Sequence, residues 1–351
     1  MSDTPPKPHV RRPRYRGTHP RAFQEKYKEL NPERYTDDVA KVLASGKTPA
    51  GSHRPIMVRE ILDVLAPAPG DFVVDATLGY GGHTSELLNA VLPGGRVLAL
   101  DVDPIELPKT EARLRSRDMP TDALTVCRSN FAGLRRVLAE QSLPPANAVL
   151  ADLGVSSMQI DDPSRGFTYK SEGPLDLRMN PHRGQPASAL LASLTVDRFA
   201  RLLEENADQP DARALAHQLL DAQRTSPFLT TTALAAAVRD VMSAGPGRAH
   251  DDDIETTIRR VFQTLRVAVN DEFGALQMFL SNLPECLAPG GRVAILTFHS
   301  GEDRRVKHAF REGLQSGIYC RIADDVIRAG SEERRANPRS TSAKLRWAVR
   351  A

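Results

Sequence analysis

The sequence predicts an α/β protein: a doubly wound, mostly parallel sheet interrupted by an inserted helical subdomain. Two observations predict it. Between residues 72 and 154 short apolar runs alternate with stretches of helical periodicity, and each run closes on a polar residue or a glycine-bearing loop. Strand–helix–strand connections of this kind make right-handed crossovers between parallel strands. The alternation then stops: from Asp161 to about Gly274 only loop and helical patterns occur, before a strand pattern returns near the C-terminus.

Taken in order, residues 1–52 are rich in Pro, Arg and Lys and read as a basic arm, with helical spacing only in "PERYTDDVAKVLA". Arg11, Arg12, Arg14 and Arg16 beside Tyr15 suit phosphate contact, and equally a solvated tail. A core of residues 53–160 and 275–351 follows, split by the insertion 161–274. It opens with an amphipathic helix carrying Ile56, Val58, Ile61, Leu62 and Leu65, stopped by Pro67 and Pro69. "DFVVDATL", "RVLALDVD", "ALTVCRSN" and "NAVLADLG" read as buried strands, with helices over "HTSELLNAVL", "PIELPKTEARLRSR" and "FAGLRRVLAEQ" between them. In the insertion "VDRFARLLEEN", "ARALAHQLLDAQR", "TTALAAAVRDVM" and "DIETTIRRVFQTLRVAVNDEF" read as helices. A helix over "GALQMFLSNLPECL", the strand "RVAILTF", a helix through "EDRRVKHAFREGL" and a last antiparallel strand "AKLRWAVR" complete the core, with "GSEERRANPRSTS" as polar loop.

Composition narrows the function classes. The 351 residues are 40% hydrophobic, enough to bury a core, and 47 basic against 44 acidic side chains leave a net charge of +3. Bulk charge therefore permits a nucleic-acid partner without demanding one. Cys127, Cys286 and Cys320 are odd in number and lack C-x-x-C spacing, which speaks against a disulfide framework or a thiolate zinc site. With no signal-peptide pattern and no run approaching the roughly 18 apolar residues of a membrane helix, a cytoplasmic location is expected.

The chemistry gathers at three strand ends, where open α/β sheets bind ligands. After the first strand, Gly79, Gly81 and Gly82 lead into a helix N-terminus; such a loop lets backbone approach a ligand, although glycine turns also serve packing. Asp101 closes the second strand, a position that suits ribose hydroxyls in both dinucleotide and adenosylmethionine sites. The loop is G-x-G-G rather than G-x-G-x-x-G, and this favours the smaller, phosphate-free adenosylmethionine. After the fourth strand, Asp152 is followed by Gly154, Ser156, Ser157 and Gln159. Asp152 could orient an exocyclic amine toward a donor methyl, or simply cap a helix. A hydrolase using Ser156 or Ser157 with His299 is disfavoured because "GVSSM" lacks the second glycine of a nucleophile elbow. His83 and His299 show no partner at metal-ligand spacing in the sequence, so no metal is expected.

These residues carry a resemblance. "HRPIMVREIL", "DATLGYGGHT", "LALDVDP", "SNFAGL", "DLGVSSMQIDDPSRGFTY", "GPLDLRMNPHRGQPA", "RRVFQTLRVAVNDEF", "LAPGGRVAILTFHSGEDRRVK" and "NPRSTSAKLR" resemble, in order, the ribosomal RNA small subunit methyltransferase H family. The resemblance implies a class I (Rossmann-like) methyltransferase using S-adenosyl-L-methionine to methylate N4 of a cytosine in 16S rRNA, within the small ribosomal subunit. It implies cofactor contacts from Gly81, Gly82, His83, Asp101, Phe131, Asp152 and Gln159, beside Gly79 of the loop. It places Asp176, Arg178, His299 and Ser300 on the cytosine side, and Asp152, Ser156, His299 and Ser300 become the candidates for catalysis. Unstacking a base costs a few kcal/mol, which backbone contacts must offset. Arg259, Arg260, Arg266, Arg304, Arg305 and Lys307 are candidate phosphate partners, Arg259 and Arg260 suiting a solvated face equally well. The chain departs from the family pattern at Met158, usually Pro, at Gly301, usually Leu, and across residues 205–215.

Overall fold

The structure is a computed structural model, and it describes residues 55–244 and 250–351. The expected basic arm, its arginines and its helix lie outside the described residues. From the first described turn, helix α1 (Val58–Leu65) leads into β1 (Phe72–Asp75), α2 (Gly82–Val91), β2 (Arg96–Asp101), α3 (Glu106–Arg115), β3 (Leu124–Arg128), α4 (Leu134–Glu140) and β4 (Ala146–Asp152). Pro108 does not break α3, because it occupies the first turn, where a missing N–H costs nothing.

After β4 come the short α5 (Ser157–Asp161) and five helices: α6 (Ala187–Ser193), α7 (Val196–Ala207), α8 (Ala212–Thr225), α9 (Thr231–Ser243) and α10 (Asp251–Asn270). The chain returns to the sheet through α11 (Glu272–Cys286), β5 (Leu287–Thr297), α12 (Ser300–Gln315), β6 (Tyr319–Ile322), α13 (Ser331–Ala336) and β7 (Lys344–Arg350). The helix expected to run unbroken through "VAVNDEF" ends instead at Asn270. Asp271 turns left-handed, with φ 47°, a conformation Asp tolerates better than most residues. The carboxylate of Asp271 then lies over Gly274, where a Cβ would come within 2.5 Å of it.

The seven strands form one sheet in the order β3-β2-β1-β4-β5-β7-β6. The first five are parallel, and β7 runs antiparallel between β5 and β6. Chain order reverses between β1 and β4, so the carboxyl ends of these two strands bound the crevice where such sheets take their ligands. Alternate residues feed opposite faces. Val74, Leu98, Val149 and Ile295 pack with Leu134, Leu276, Phe279 and Phe310 on one side, while Val73, Val97, Leu150 and Leu296 pack with Ile61, Leu87 and Leu114 on the other. A third apolar cluster, including Phe199, Leu203, Leu219, Leu234, Ile258 and Leu265, holds the helices that follow β4. No helix among the described residues is long and apolar enough to cross a membrane.

Candidate active site

The loop after β1 is built around two carboxylates. Asp75 is buried at the strand end and accepts hydrogen bonds from Thr84 Oγ1 (2.6 Å) and the Thr77 N–H (3.1 Å). Burial raises its pKa, against the pull of Thr84, His83 and Thr77. Asp101, from β2, accepts the Gly79 N–H at 2.7 Å and the Asp103 N–H at 2.8 Å. Burial pushes the Asp101 carboxyl up to about 6 despite these two donors. Each of its oxygens keeps acceptor capacity beyond the one backbone bond it receives. Gly81 has φ 73°, and a Cβ there would meet Thr110 and Leu114 of α3 at 3.0 Å, so a side chain would be both strained and crowded. The neighbouring Tyr80 is held by Arg113, which donates to its carbonyl and stacks 3.4 Å from its ring centroid.

The end of β4 brings Asp152 beside this loop. Its N–H donates to Thr77 Oγ1 (2.6 Å), and its Oδ2 lies 3.5 Å from His83 Nε2 at the start of α2. Burial disfavours the His83 imidazolium, but the carboxylates of Asp152 and Asp75 outweigh it and raise the histidine's pKa. His83 Nε2 and Asp152 Oδ1 are, like both ring nitrogens of His299, among the described buried side-chain atoms without a hydrogen-bond partner. Buried polar atoms are normally satisfied, so this pair marks a point where a ligand's polar groups fit.

Ser156 and Gln159 form a capping box on α5: Ser156 Oγ accepts the Gln159 N–H, and Gln159 Oε1 accepts the Ser156 N–H. The amide nitrogen of Gln159 donates to Asp103 Oδ2 (2.7 Å), which also pairs with Arg165 (2.8 Å). Gln159 thus reaches the pocket through Asp103, tying α5 to the turn after β2. Ser157 is bound by Arg339. Phe131 is half-buried in the turn after β3, its ring edge-on to Phe279 at 5.5 Å.

At the end of β5 the structure corrects the expectation that His299 lacks a carboxylate neighbour. Glu302, one helical turn on, brings Oε1 to 3.2 Å from His299 Nε2, and ligand atoms of Glu272, His299 and Glu302 lie within 4.8 Å of one another. Glu272 is clamped bidentately by Arg266, at 2.7 and 2.8 Å, and Glu302 accepts the Phe298 N–H at 2.9 Å. Burial raises the Glu302 pKa, but His299 and Arg266 overcome it and hold the carboxyl below its ordinary value. Arg266 neutralises Glu272 in this group, while both ring nitrogens of His299 are buried without a hydrogen-bond partner. His83 likewise has its carboxylate neighbour, Asp152, from a distant strand.

The candidates for substrate contact are placed as follows. Asp176 and Arg178 form a bidentate pair, with both bonds at 2.7 Å, in the loop before α6. Asn270 fixes that loop by accepting the Met179 N–H and donating to the Leu177 carbonyl. Ser300 and Arg304, on the first turns of α12, both bind Asp208 at the end of α7. Arg266 is half-buried against Glu272. Arg266 and Arg304 are therefore held by carboxylates rather than standing free for phosphate. Sequence reasoning gave no role to Asp75, Thr77, Thr84, Asp103 and Arg165, which support the site; the signals present were Asp75 closing the apolar run "FVVD" and the second acid of "DVD".

Gly79, Gly81, Gly82, His83, Asp101 and Asp152 come together at the crevice between β1 and β4, with His299 on the adjoining strand end. A sheet of order 3-2-1-4-5-7-6 with an antiparallel seventh strand, a glycine loop after β1 and an acid closing β2 defines a class I methyltransferase. The chain belongs to the MraW methylase family, whose pattern matches residues 50–351. It is 49% identical to the protein named "Ribosomal RNA small subunit methyltransferase H 2" of Alkaliphilus metalliredigens, over 97% of either chain. It is 48% identical to "Ribosomal RNA small subunit methyltransferase H 1" of Lachnoclostridium phytofermentans, over 98% of this chain and 93% of that one. Among solved structures it is similar to an rRNA methylase from Streptococcus thermophilus, with 13% identity over 84% of this chain and 93% of that one and a TM-score of 0.37, too slight a likeness to add to the strand order.

Proposed function

We propose that this protein methylates N4 of a cytosine in 16S rRNA of the small ribosomal subunit, in the cytoplasm, using S-adenosyl-L-methionine. The observation that carries the reading is the buried, unpartnered Asp152 Oδ1 at the end of β4, in a chain whose relatives bear rRNA methyltransferase names. The donor set suits this cofactor. Asp101 retains acceptor capacity for ribose hydroxyls, the Gly79–Gly82 loop lets backbone approach, and Phe131 offers apolar surface to an adenine. Gln159 completes the pocket by holding Asp103. S-adenosylmethionine, held there, would supply an electrophilic methyl group on a sulfonium whose sulfur–methyl bond breaks to leave a neutral thioether.

The remaining work belongs to the chain. Asp152 Oδ1 accepts an N–H of the cytosine amine, which turns the nitrogen lone pair toward the methyl donor and provides a place for the proton released as the C–N bond forms. His83, with its raised pKa, keeps the neighbouring Asp152 carboxylate compensated. His299 and Ser300, at the end of β5, and the Asp176–Arg178 pair lie on the substrate side, with Ser156 holding α5 in register through its cap. Arg266 acts there through Glu272, and Arg304 through Asp208. A second reading keeps the cofactor but changes the acceptor to another RNA or amine; the departures at Gly301 and residues 205–215 favour it. Purified protein with methyl-labelled cofactor and unmodified small subunits separates the two. Label in N4-methylcytidine supports the first, and label absent from the rRNA while the cofactor still binds supports the second.

A further inference from the structure

A cleft of about 600 Å³ opens at the β3 edge of the sheet. Four arginines line it: Arg128 at the end of β3, Arg135 and Arg136 on α4, and Arg183 from the loop before α6. Asn130 and Asn180 add amide groups, and no carboxylate is among the lining residues. All four arginines are exposed.

Their pairing distinguishes them from the arginines that the sequence singles out. Arg266 and Arg304 are clamped by Glu272 and Asp208. Arg135 and Arg136 meet only solvent-exposed partners, Glu285 at 2.8 Å and Glu140 at 3.6 Å. Exposed pairs of this kind exchange readily for a stronger anion. For the side chains of Arg128 and Arg183 the described structure shows no ion pair.

The cleft adjoins the methyl-transfer site. Val102, which follows Asp101, and Asn130 and Ala132, which flank Phe131, also line it. Arg183 and Asn180 belong to the chain between β4 and β5, so the cleft is walled by both the sheet and the inserted segment. Met278, exposed on its rim, gives a flexible apolar surface of the kind that accommodates an unstacked base.

We propose that this cleft is the path of the RNA sugar–phosphate backbone next to the methylated nucleotide, with Arg128, Arg135, Arg136 and Arg183 as its phosphate contacts. The inference rests on the RNA-methyltransferase reading above. Guanidinium forks and amides, with Glu285 and Glu140 as the exposed acids beside them, match a polyanion that displaces those two side chains. S-adenosylmethionine offers one carboxylate and no phosphate, too little negative charge to engage four guanidinium groups, so the cleft has cationic capacity beyond what the cofactor uses.

The test uses the full chain, a fluorescein-labelled mixed-sequence single-stranded RNA and fluorescence anisotropy across a potassium chloride series. Cofactor affinity is measured in parallel by calorimetry. Because each phosphate contact to single-stranded nucleic acid contributes about 0.7 to the slope of log affinity against log salt, Arg128→Gln with Arg183→Gln is expected to flatten the slope by about 1.4 and leave cofactor affinity unchanged. Arg128→Lys with Arg183→Lys keeps the charge and should retain most of the slope, which a merely structural role would not explain. An unchanged slope in the Gln variant, with the wild type binding RNA, overturns the cleft assignment and leaves the methyltransferase reading standing. Equal losses of RNA and cofactor affinity also overturn it, by returning the cleft to the cofactor. A wild type that binds cofactor but no RNA overturns the cleft as a backbone path and leaves the rRNA target to the small-subunit assay.

Discussion

Asp101 shows how one buried carboxylate can both build a loop and set a pH limit. Its two backbone bonds hold Gly79 and Asp103 in place, while burial brings its pKa to about 6. An acid with that value is ionised above pH 6 and protonated below it, so its capacity to accept ribose hydroxyls falls as pH drops through 6. Cofactor affinity measured by calorimetry should weaken on going from neutral pH to below 6. In Asp101→Ala it should be weaker by ~10- to 100-fold above pH 6, the equivalent of a hydrogen bond to a charged group, and the gap from wild type should narrow below pH 6. An Asp101→Ala affinity equal to wild type would remove Asp101 from the ribose. Gly301 illustrates a departure with a physical reason. A Cβ there would stand 2.6 Å from the Phe273 ring, which itself packs under the Arg305 guanidinium at 3.6 Å. Gly301→Leu should destabilise the fold by about 1–3 kcal/mol through overpacking, and Phe273→Leu added to it should recover part of the loss. Urea unfolding of the two single variants and the double variant reads this directly, and strictly additive costs would contradict it.

At the scale of elements, the strands were legible because parallel strands buried on both faces read as apolar runs, as "FVVD" and "AVLAD" do. Strand β6, "YCRI", escaped notice because it is four residues long, with two of them exposed at the sheet edge. Helix α13 lies within the stretch read as polar loop, since six residues with no buried member carry no periodic signal. The junction of α7 with α12 is another feature that spacing cannot reveal. Asp208 joins them by accepting from Ser300 and Arg304, and the last of these is about half exposed. Solvent screens such a pair, so Asp208→Asn should cost about 1 kcal/mol or less. A double-mutant cycle with Arg304→Gln checks this; a coupling of about 3 kcal/mol would instead indicate a desolvated pair. The lowered Asp208 pKa, caused first by Arg304 and then by Ser300, agrees in direction with that contact.

Across the whole molecule, the residues legible in the sequence are those at strand ends. Asp101 and Asp152 close apolar runs, and the glycines interrupt one. What sequence could not show is which charges neutralise one another. Arg266 and Arg304 look like free cations along the chain, yet folding sets each against a carboxylate. Conversely, Arg128, Arg135, Arg136 and Arg183 come from a strand end, a helix and a loop, and only the fold collects them around one cleft. In the His299–Glu302–Glu272 group the i,i+3 spacing of His299 and Glu302 was open to reading, whereas Glu272 arrives from a different helix and only the fold brings it in. The central claim is the methylation of one cytosine N4 in small-subunit rRNA. It is tested most directly by mass spectrometry of nucleosides from 16S rRNA fragments of cells with and without this gene. The expected result is loss of N4-methylcytidine at one position, restored by the wild-type gene and not by Asp152→Ala. An unchanged nucleoside profile, with the purified protein still binding S-adenosylmethionine, would contradict the rRNA target and move the methyl transfer to another acceptor.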